Sequence, residues 1–368
     1  MKLSGKSCAG LALILCFAAS VALGYEKASF RGGVQMGYSY GQNGYPWPTA
    51  SNPLANQGRG GFYLRQLRLE TRIDFDSSFA AIALGNLAAA DLQEAYLQKR
   101  WGEYVVRAGK FRGAGLKSAT GYDEFERATV SAPLYSRVWG GFKRTLSQRD
   151  FGVELERDFL DRSLRNRFFI HNASGENVLN EEAGALGLPP TQVLGMDYAL
   201  DWRISPYTTW GGHVGALAFR SWDEFTGGHE GWQVQYWFKS NPIADASLNH
   251  QMDLGRFHMF NEASLLYHRY LPNPDDSSAT KSWGLSSQVR FEHSERWASL
   301  IRYEFYDNTD GANPDDAMHL ATLGAIWRPS PAAHPGMRVT FEYVRIYEEG
   351  LYNLASNDVL ICQLQMLF

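Results

Sequence analysis

The chain is poor in cysteine, with 3 in 368 residues, and two of them, Cys8 and Cys16, lie in the first 24 positions. Without that segment only Cys362 remains, which excludes a fold stapled by disulfides even in an oxidising compartment. Beyond residue 24 no stretch approaches the roughly 18 consecutive apolar residues of a membrane helix, so helical membrane spans are excluded. An excess of one charge is also missing. The 35 Lys and Arg face 39 Asp and Glu, a net −4, which offers no footprint for nucleic acid. Finally, G-x-S-x-G, H-E-x-x-H, C-x-x-C and G-x-x-x-x-G-K-[ST] are all absent, and the nine histidines are scattered. Neither an enzyme nor a bound cofactor is expected on these grounds.

What is present begins with a secretion signal over residues 1–24. Lys2 and Lys6 form a positive start, residues 10–19 an apolar core, and Ala22-Leu23-Gly24 a small-residue cleavage site that leaves Tyr25 first. A lipoprotein signal fits less well, because Leu15 rather than a small residue precedes Cys16. Removing Lys2 and Lys6 leaves 33 basic against 39 acidic residues and moves the net charge from −4 to −6. Residues 25–368 are expected to form one domain.

Aromatic residues are abundant, at 14% of the chain with 19 Tyr and 11 Trp. They fall on segments of about ten residues whose apolar and polar positions alternate with period two. In the last segment Leu360, Cys362, Leu364, Met366 and Phe368 share one face and Gln363 and Gln365 the other. Trp283, Leu285, Val289 and Phe291 likewise oppose Ser286, Gln288, Arg290 and Glu292, and Leu67, Leu69 and Ile73 oppose Arg68, Glu70, Arg72 and Asp74. A soluble β-sandwich also alternates. Here, however, Trp and Tyr gather at the ends of the apolar faces and the polar faces carry both signs of charge, as a membrane barrel with a wet lumen allows.

The pattern predicts sixteen antiparallel strands, near 28–40, 62–75, 79–87, 92–100, 104–112, 149–157, 164–172, 196–204, 208–221, 231–239, 256–270, 282–293, 296–306, 317–328, 337–348 and 358–368. Short turns at 76–78, 101–103, 205–207 and 294–295 alternate with longer loops at 41–61, 113–148, 173–195, 271–281 and 307–316. Both termini then lie on the short-turn, periplasmic side. Segment 241–255 fits this scheme least well. Phe368, ending an alternating strand behind a secretion signal, matches the signal read by outer-membrane assembly machinery.

Charge is uneven inside the chain. Between Lys99 and Arg149 there are eleven basic residues and four acidic ones, a local +7. The longest loop, 113–148, falls within this stretch, and so long a loop between paired strands is usually functional. Folded into the lumen it would narrow the pore and set positive charge there, which favours anions. Facing outward instead, the same bases would meet lipopolysaccharide phosphates or acids on neighbouring strands. Candidate pore residues are Arg68, Arg72, Arg107, Arg203 and Arg290 on polar strand faces, and Lys110, Arg112, Lys117 and Arg127 in or beside the loop. Arg72 stands between Glu70 and Asp74, so a wall of mixed charge is equally in view there. A sugar channel is the alternative, with Tyr96 and Trp237 as stacking platforms. A barrel used for adhesion or enzymology is a third. The pairs Asp275-Asp276 and Asp315-Asp316 read as solvated turns rather than calcium loops, and His213 reads as a lumen or packing residue.

From about residue 62 to 155 the sequence resembles the phosphate-selective porin family of Gram-negative outer membranes. The resemblance rests on Leu64-Arg65-Gln66-Leu67-Arg68-Leu69, Leu92-Gln93-Glu94-Ala95-Tyr96-Leu97, Val106-Arg107-Ala108-Gly109-Lys110-Phe111-Arg112, Phe125-Glu126-Arg127 and Arg149-Asp150-Phe151-Gly152-Val153-Glu154-Leu155, in that order. It implies a homotrimer of sixteen-stranded barrels in outer-membrane lipid and lipopolysaccharide, each with an inward-folded third loop. It also implies a basic constriction for small anionic solutes, with Lys110, Arg112 and Arg127 in the basic loop region. Asp123, Glu124 and Glu126 depart from a purely basic constriction.

Overall fold

The computed structural model describes residues 25–41, 61–89, 91–120, 128–130, 133, 135, 149–172, 194–225, 235–268, 280–307, 317–329, 331, 336–348 and 358–368. Sixteen strands run through them: β1 (Lys27–Gly41), β2 (Gly61–Asp74), β3 (Phe79–Asn86), β4 (Asp91–Trp101), β5 (Tyr104–Phe111), β6 (Asp150–Phe159), β7 (Leu164–His171) and β8 (Leu194–Ser205) make the first half. The second half is β9 (Thr208–Phe225), β10 (Gln235–Leu254), β11 (Phe257–His268), β12 (Thr280–Glu292), β13 (Trp297–Asp307), β14 (Met318–Trp327), β15 (Arg338–Glu348) and β16 (Val359–Leu367). Each strand pairs antiparallel with its neighbour in sequence, and β1 pairs with β16, closing the barrel. One helical turn, α1 (Lys117–Thr120), lies in the third loop. Among the described residues no helix is long and apolar enough to cross a membrane.

The burial pattern is inside out. Along β13 the inner positions Ala298, Leu300, Arg302, Glu304 and Tyr306 are buried, while Trp297, Ile301 and Tyr303 face outward. Arg302 is 1% exposed and its neighbour Ile301 61%. A water-soluble sheet pays for such an exchange twice, in desolvated charge and in wetted hydrocarbon. A closed barrel in lipid reverses both terms, and closure leaves no unpaired edge inside the membrane. The same alternation puts Thr340, Glu342, Gln363 and Gln365 inside and Phe341, Leu360 and Met366 outside. Cys362 lies on that outer face, opposite Tyr38 of β1.

Fifteen of the sixteen expected strands overlap the observed ones closely, and the exception is β10. Expected over 231–239, it runs from Gln235 to Leu254, and only residues 255 and 256 separate it from β11. The segment 241–255 hid its period because the outer positions Ala244 and Ala246 are small and Pro242 interrupts the run. Its inner positions Asp245, Ser247 and Asn249 are buried, and they alternate as the others do.

The seam carries Phe368. Its backbone N–H donates to the Gly32 carbonyl at 3.0 Å, and the Gly32 N–H donates back to the Phe368 carbonyl at 2.7 Å. Its side chain is 74% exposed, on the outer side.

Candidate functional site

The described parts of the third loop, between β5 and β6, lie inside the barrel. Glu262 of β11 accepts three groups from it: the backbone N–H of Lys117 at 2.7 Å, that of Ser118 at 3.3 Å, and the Tyr135 hydroxyl at 2.6 Å. Burial, then the charge of Glu262, pushes the Tyr135 phenol well above its ordinary pKa, so it stays a donor. Further along, Val130 N–H donates to Glu342 of β15 at 2.6 Å, the Arg65 guanidinium donates to the Val130 carbonyl, and Arg302 donates to Thr129 Oγ1 at 2.7 Å.

Apolar seats on the inner wall complete the docking. Ala128 packs with Ala298, Leu300 and Ile326, and Ala114 with Phe111, Phe169 and Ala199. The ring of Tyr135 lies so close to β12 that a Cβ at position 284 would stand 2.3 Å from it, which only glycine permits. The loop therefore crosses from β5 to β11–β15 and is held there by wall carboxylates.

Between the loop and the wall of β4–β8 lies a cavity of about 280 Å³. Arg107, Arg112, Lys117, Arg165 and Arg167 line it, as do Glu94, Glu156 and Asp201, with Tyr96 and Gln98 among the neutral groups. Most of the charge is neutralised locally. Arg107 pairs with Glu154 and Glu156, Arg165 with Asp158 at 2.9 Å, and Lys117 Nζ reaches Asp201 at 2.9 Å. Burial pulls the Lys117 ammonium below its ordinary pKa, while Asp201 works against that shift. Arg149, leaving the loop, pairs with Glu94 at 2.6 Å. Arg167, on the inner face of β7 opposite Glu156 and Ala199, makes no hydrogen bond or ion pair among the described residues.

The residues singled out by sequence distribute as follows. Arg107, Arg112 and Lys117 meet in the cavity. Arg68 and Arg72 lie on the inner face of β2, paired with Glu70 at 3.0 Å and Asp74 at 2.8 Å. Arg290 pairs with Glu292 at 2.9 Å and lines a separate recess with Gln251 and Gln288. Arg203 is exposed beside the break in the β8–β9 ladder. Lys110 requires a correction, because it does not line the lumen. The register pairs Gly109 with Tyr96 and Lys110 with Ala95, which turns Lys110 to the face opposite Arg107. There its ammonium is buried against the Leu92 carbonyl at 2.9 Å, where the β3–β4 ladder skips Gln93.

Arg127, residues 1–24, Asp275-Asp276 and Asp315-Asp316 lie outside the described residues, as does the side chain of Trp237. Tyr96 packs on Phe111, with ring centroids 5.3 Å apart, rather than standing free as a platform. His213 is buried on the inner face of β9, between Asp197 and Asp245. Sequence reasoning missed Arg165 and Arg167, although they share one face of β7 with Phe169 and His171. The signal was there, but the basic stretch was counted along the chain rather than across the sheet.

No family model matches the chain, and none of the curated proteins is similar to it in sequence. Solved structures do match in shape. An anion-selective porin from Comamonas acidovorans superposes with a TM-score of 0.63 at 11% identity, covering 93% of this chain and 99% of that one. The outer membrane channel DcaP of Acinetobacter baumannii gives 0.62 at 11%, covering 93% and 97%. An in-vitro folded Vibrio cholerae outer membrane protein, OmpT in trimer form, gives 0.58 at 11%, covering 93% and 99%. The chain therefore has the fold of the Gram-negative outer-membrane porins, and its apolar outer belt fits it to that membrane.

Proposed function

We propose that this barrel is a passive outer-membrane channel for small hydrophilic solutes, and that it favours anions. Residues 1–24 are its secretion signal and residues 25–368 the channel. The observation that carries the reading is Arg167. The acids in its cavity have closer basic partners, and Glu154 and Asp158 on the same wall hold Arg107 and Arg165, so Arg167 is the guanidinium that stays available. A fixed positive charge beside a narrow water path lowers the barrier for anions and raises it for cations. The planar guanidinium fork also matches phosphate and carboxylate oxygens. Phosphate is the finer candidate, consistent with the family that the sequence resembles. A homotrimer is the expected assembly, in line with the trimer form of one structural neighbour.

The test is the reversal potential of purified protein in a planar bilayer under a potassium chloride gradient. Wild type is expected to pass chloride in preference to potassium, and Arg167→Gln to lose most of that preference with conductance retained. A cation-selective wild type sinks the anion reading. Phosphate that fails to block chloride current removes phosphate specificity alone.

A further inference from the structure

Between the docked third loop and the short turn at 255–256, the inner wall of β10–β13 holds a recess of about 220 Å³. The loop contributes Ser118 and Thr129 to it, whereas Lys117, one residue earlier, lines the cavity of Arg167. The two spaces therefore meet different sides of one helical turn. The floor of the recess is a grid set by register. One row runs Gln251, Phe260, Gln288 and Arg302 across the four strands, and the next runs Asp253, His258 and Arg290. Direct cross-strand neighbours stand about 4.5–5.5 Å apart at Cβ, so the Phe260 ring lies between two carboxamides, with Arg290 diagonal to it.

Two polar groups of the recess have no protein partner. Ser286, which lines it and is 1% exposed, makes no side-chain hydrogen bond among the described residues. Neither does Gln288, two positions along the same face of β12. A buried hydroxyl left unmet is costly, and a ligand hydroxyl that reaches it removes the cost. Arg290 meets Glu292 through Nε at 2.9 Å, and Arg328 grips both oxygens of the same carboxylate at 2.8 and 3.1 Å. A guanidinium carries five N–H donors, so Arg290 can hold Glu292 and a second carboxylate together. Arg302 is held under the loop by Thr129 and Glu304. At the other end of the grid Asp253 is taken up by His258 Nδ1 at 2.6 Å, and His258 stands between it and Arg290.

We propose that this recess binds a sugar acid, a single pyranose ring carrying one carboxylate, on its way through the barrel; the proposal rests on the channel reading above and names a solute class for it. The ring lays its C–H face on Phe260, its hydroxyls meet the Gln288 carboxamide and Ser286 Oγ, and its carboxylate meets the Arg290 fork. Each part of the site rejects a simpler solute. Inorganic phosphate has no apolar face for Phe260, and a neutral sugar leaves Arg290 without its carboxylate. A plain aromatic carboxylate brings no hydroxyl to Gln288 and Ser286, so both stay unmet. The size agrees, since about 220 Å³ lies below the roughly 300–1,000 Å³ of sites for drug-sized ligands and suits one ring.

The experiment is saturation-transfer NMR on the detergent-folded barrel with sodium D-glucuronate. Transfer to the ring C–H protons is expected. D-glucose and acetate, each lacking one half of the ligand, should bind at least about tenfold more weakly, the effect of losing one charge-assisted or stacking contact. Arg290→Gln should bring glucuronate down to the glucose level, and Phe260→Ala should abolish the transfer. The comparison with glucose and acetate uses wild-type protein and does not depend on a variant folding. No transfer to glucuronate, glucose or acetate binding as well as glucuronate, or unchanged binding in Arg290→Gln overturns the proposal. Planar-bilayer recording of the same preparation keeps the two readings apart. A barrel that passes chloride selectively yet shows no glucuronate transfer removes this site alone, whereas glucuronate binding to a barrel without conductance keeps the site and removes the channel.

Discussion

Asp76, in the short turn between β2 and β3, shows how much a single side chain can settle locally. Its Oδ1 accepts both the hydroxyl and the backbone N–H of Ser78, each at 2.6 Å, and Lys99 stands 3.3 Å from Oδ2. The two Ser78 bonds, with help from Lys99, hold its carboxyl down from the ordinary 3.8 to about 2. Because the folded value is depressed, the ionised form supports the turn fully above the ordinary value, and that support is lost as pH falls through about 2. A carboxyl-carbon NMR titration should place the midpoint near that lower value, and a midpoint at 3.8 would show that the Ser78 bonds do not form. At this scale the sequence was legible as to face but not as to partner. Arg107 was on the correct side of its strand, whereas Glu154 and Glu156, which hold it, are 47 and 49 residues further on. Lys110 failed for a different reason, since a motif names a neighbourhood and only the register chooses the side.

Among the elements, the third loop depends on Glu262 more than on any other described wall residue. That carboxylate satisfies two backbone N–H groups and the Tyr135 hydroxyl, all away from water. Glu262→Ala leaves all three without their acceptor, at a cost of roughly 2–4 kcal/mol. Single-channel recording should show a larger and noisier conductance as the loop leaves the lumen. A conductance identical to wild type would mean that Glu342, Arg302 and the apolar seats suffice. The seats themselves were hidden in the sequence. Leu300, Ile326 and Phe169 sit at inner positions that a purely wet lumen would leave polar, and only the docked loop gives an apolar residue a reason to be there. β10 was read only at its start, up to residue 239, because Pro242, Ala244 and Ala246 interrupt the apolar run on its outer face.

For the whole molecule, the architecture was legible because lipid outside and water inside impose one rule on every strand, and sixteen repetitions of a weak signal add up. Cys362 offers a direct check on that rule. It sits on the outer face of β16 among Leu360, Phe341 and Tyr38. In bilayer-embedded protein it should resist a charged maleimide that labels the urea-unfolded chain within minutes. Rapid labelling of the embedded form would place the face in water and undo the barrel as a membrane structure. The cavity beside Arg167 obeys no repeated rule, since it is assembled from β4 to β8 and one loop turn, and so one sequence could not disclose it.

The seam between β1 and β16 sets the order of assembly. Gly33 lies opposite Leu367, and Gln35 bonds Gln365 across 330 residues of chain. Every hairpin can zip locally, yet the first strand keeps an open edge until the last is delivered. Closure is thus the step of longest range, and the slow one on loop-entropy grounds. Before it the half-built sheet is a sticky template for any passing strand. Until the last strand arrives, that open edge can pair only with strands from elsewhere, and this is the hazard that the connectivity carries.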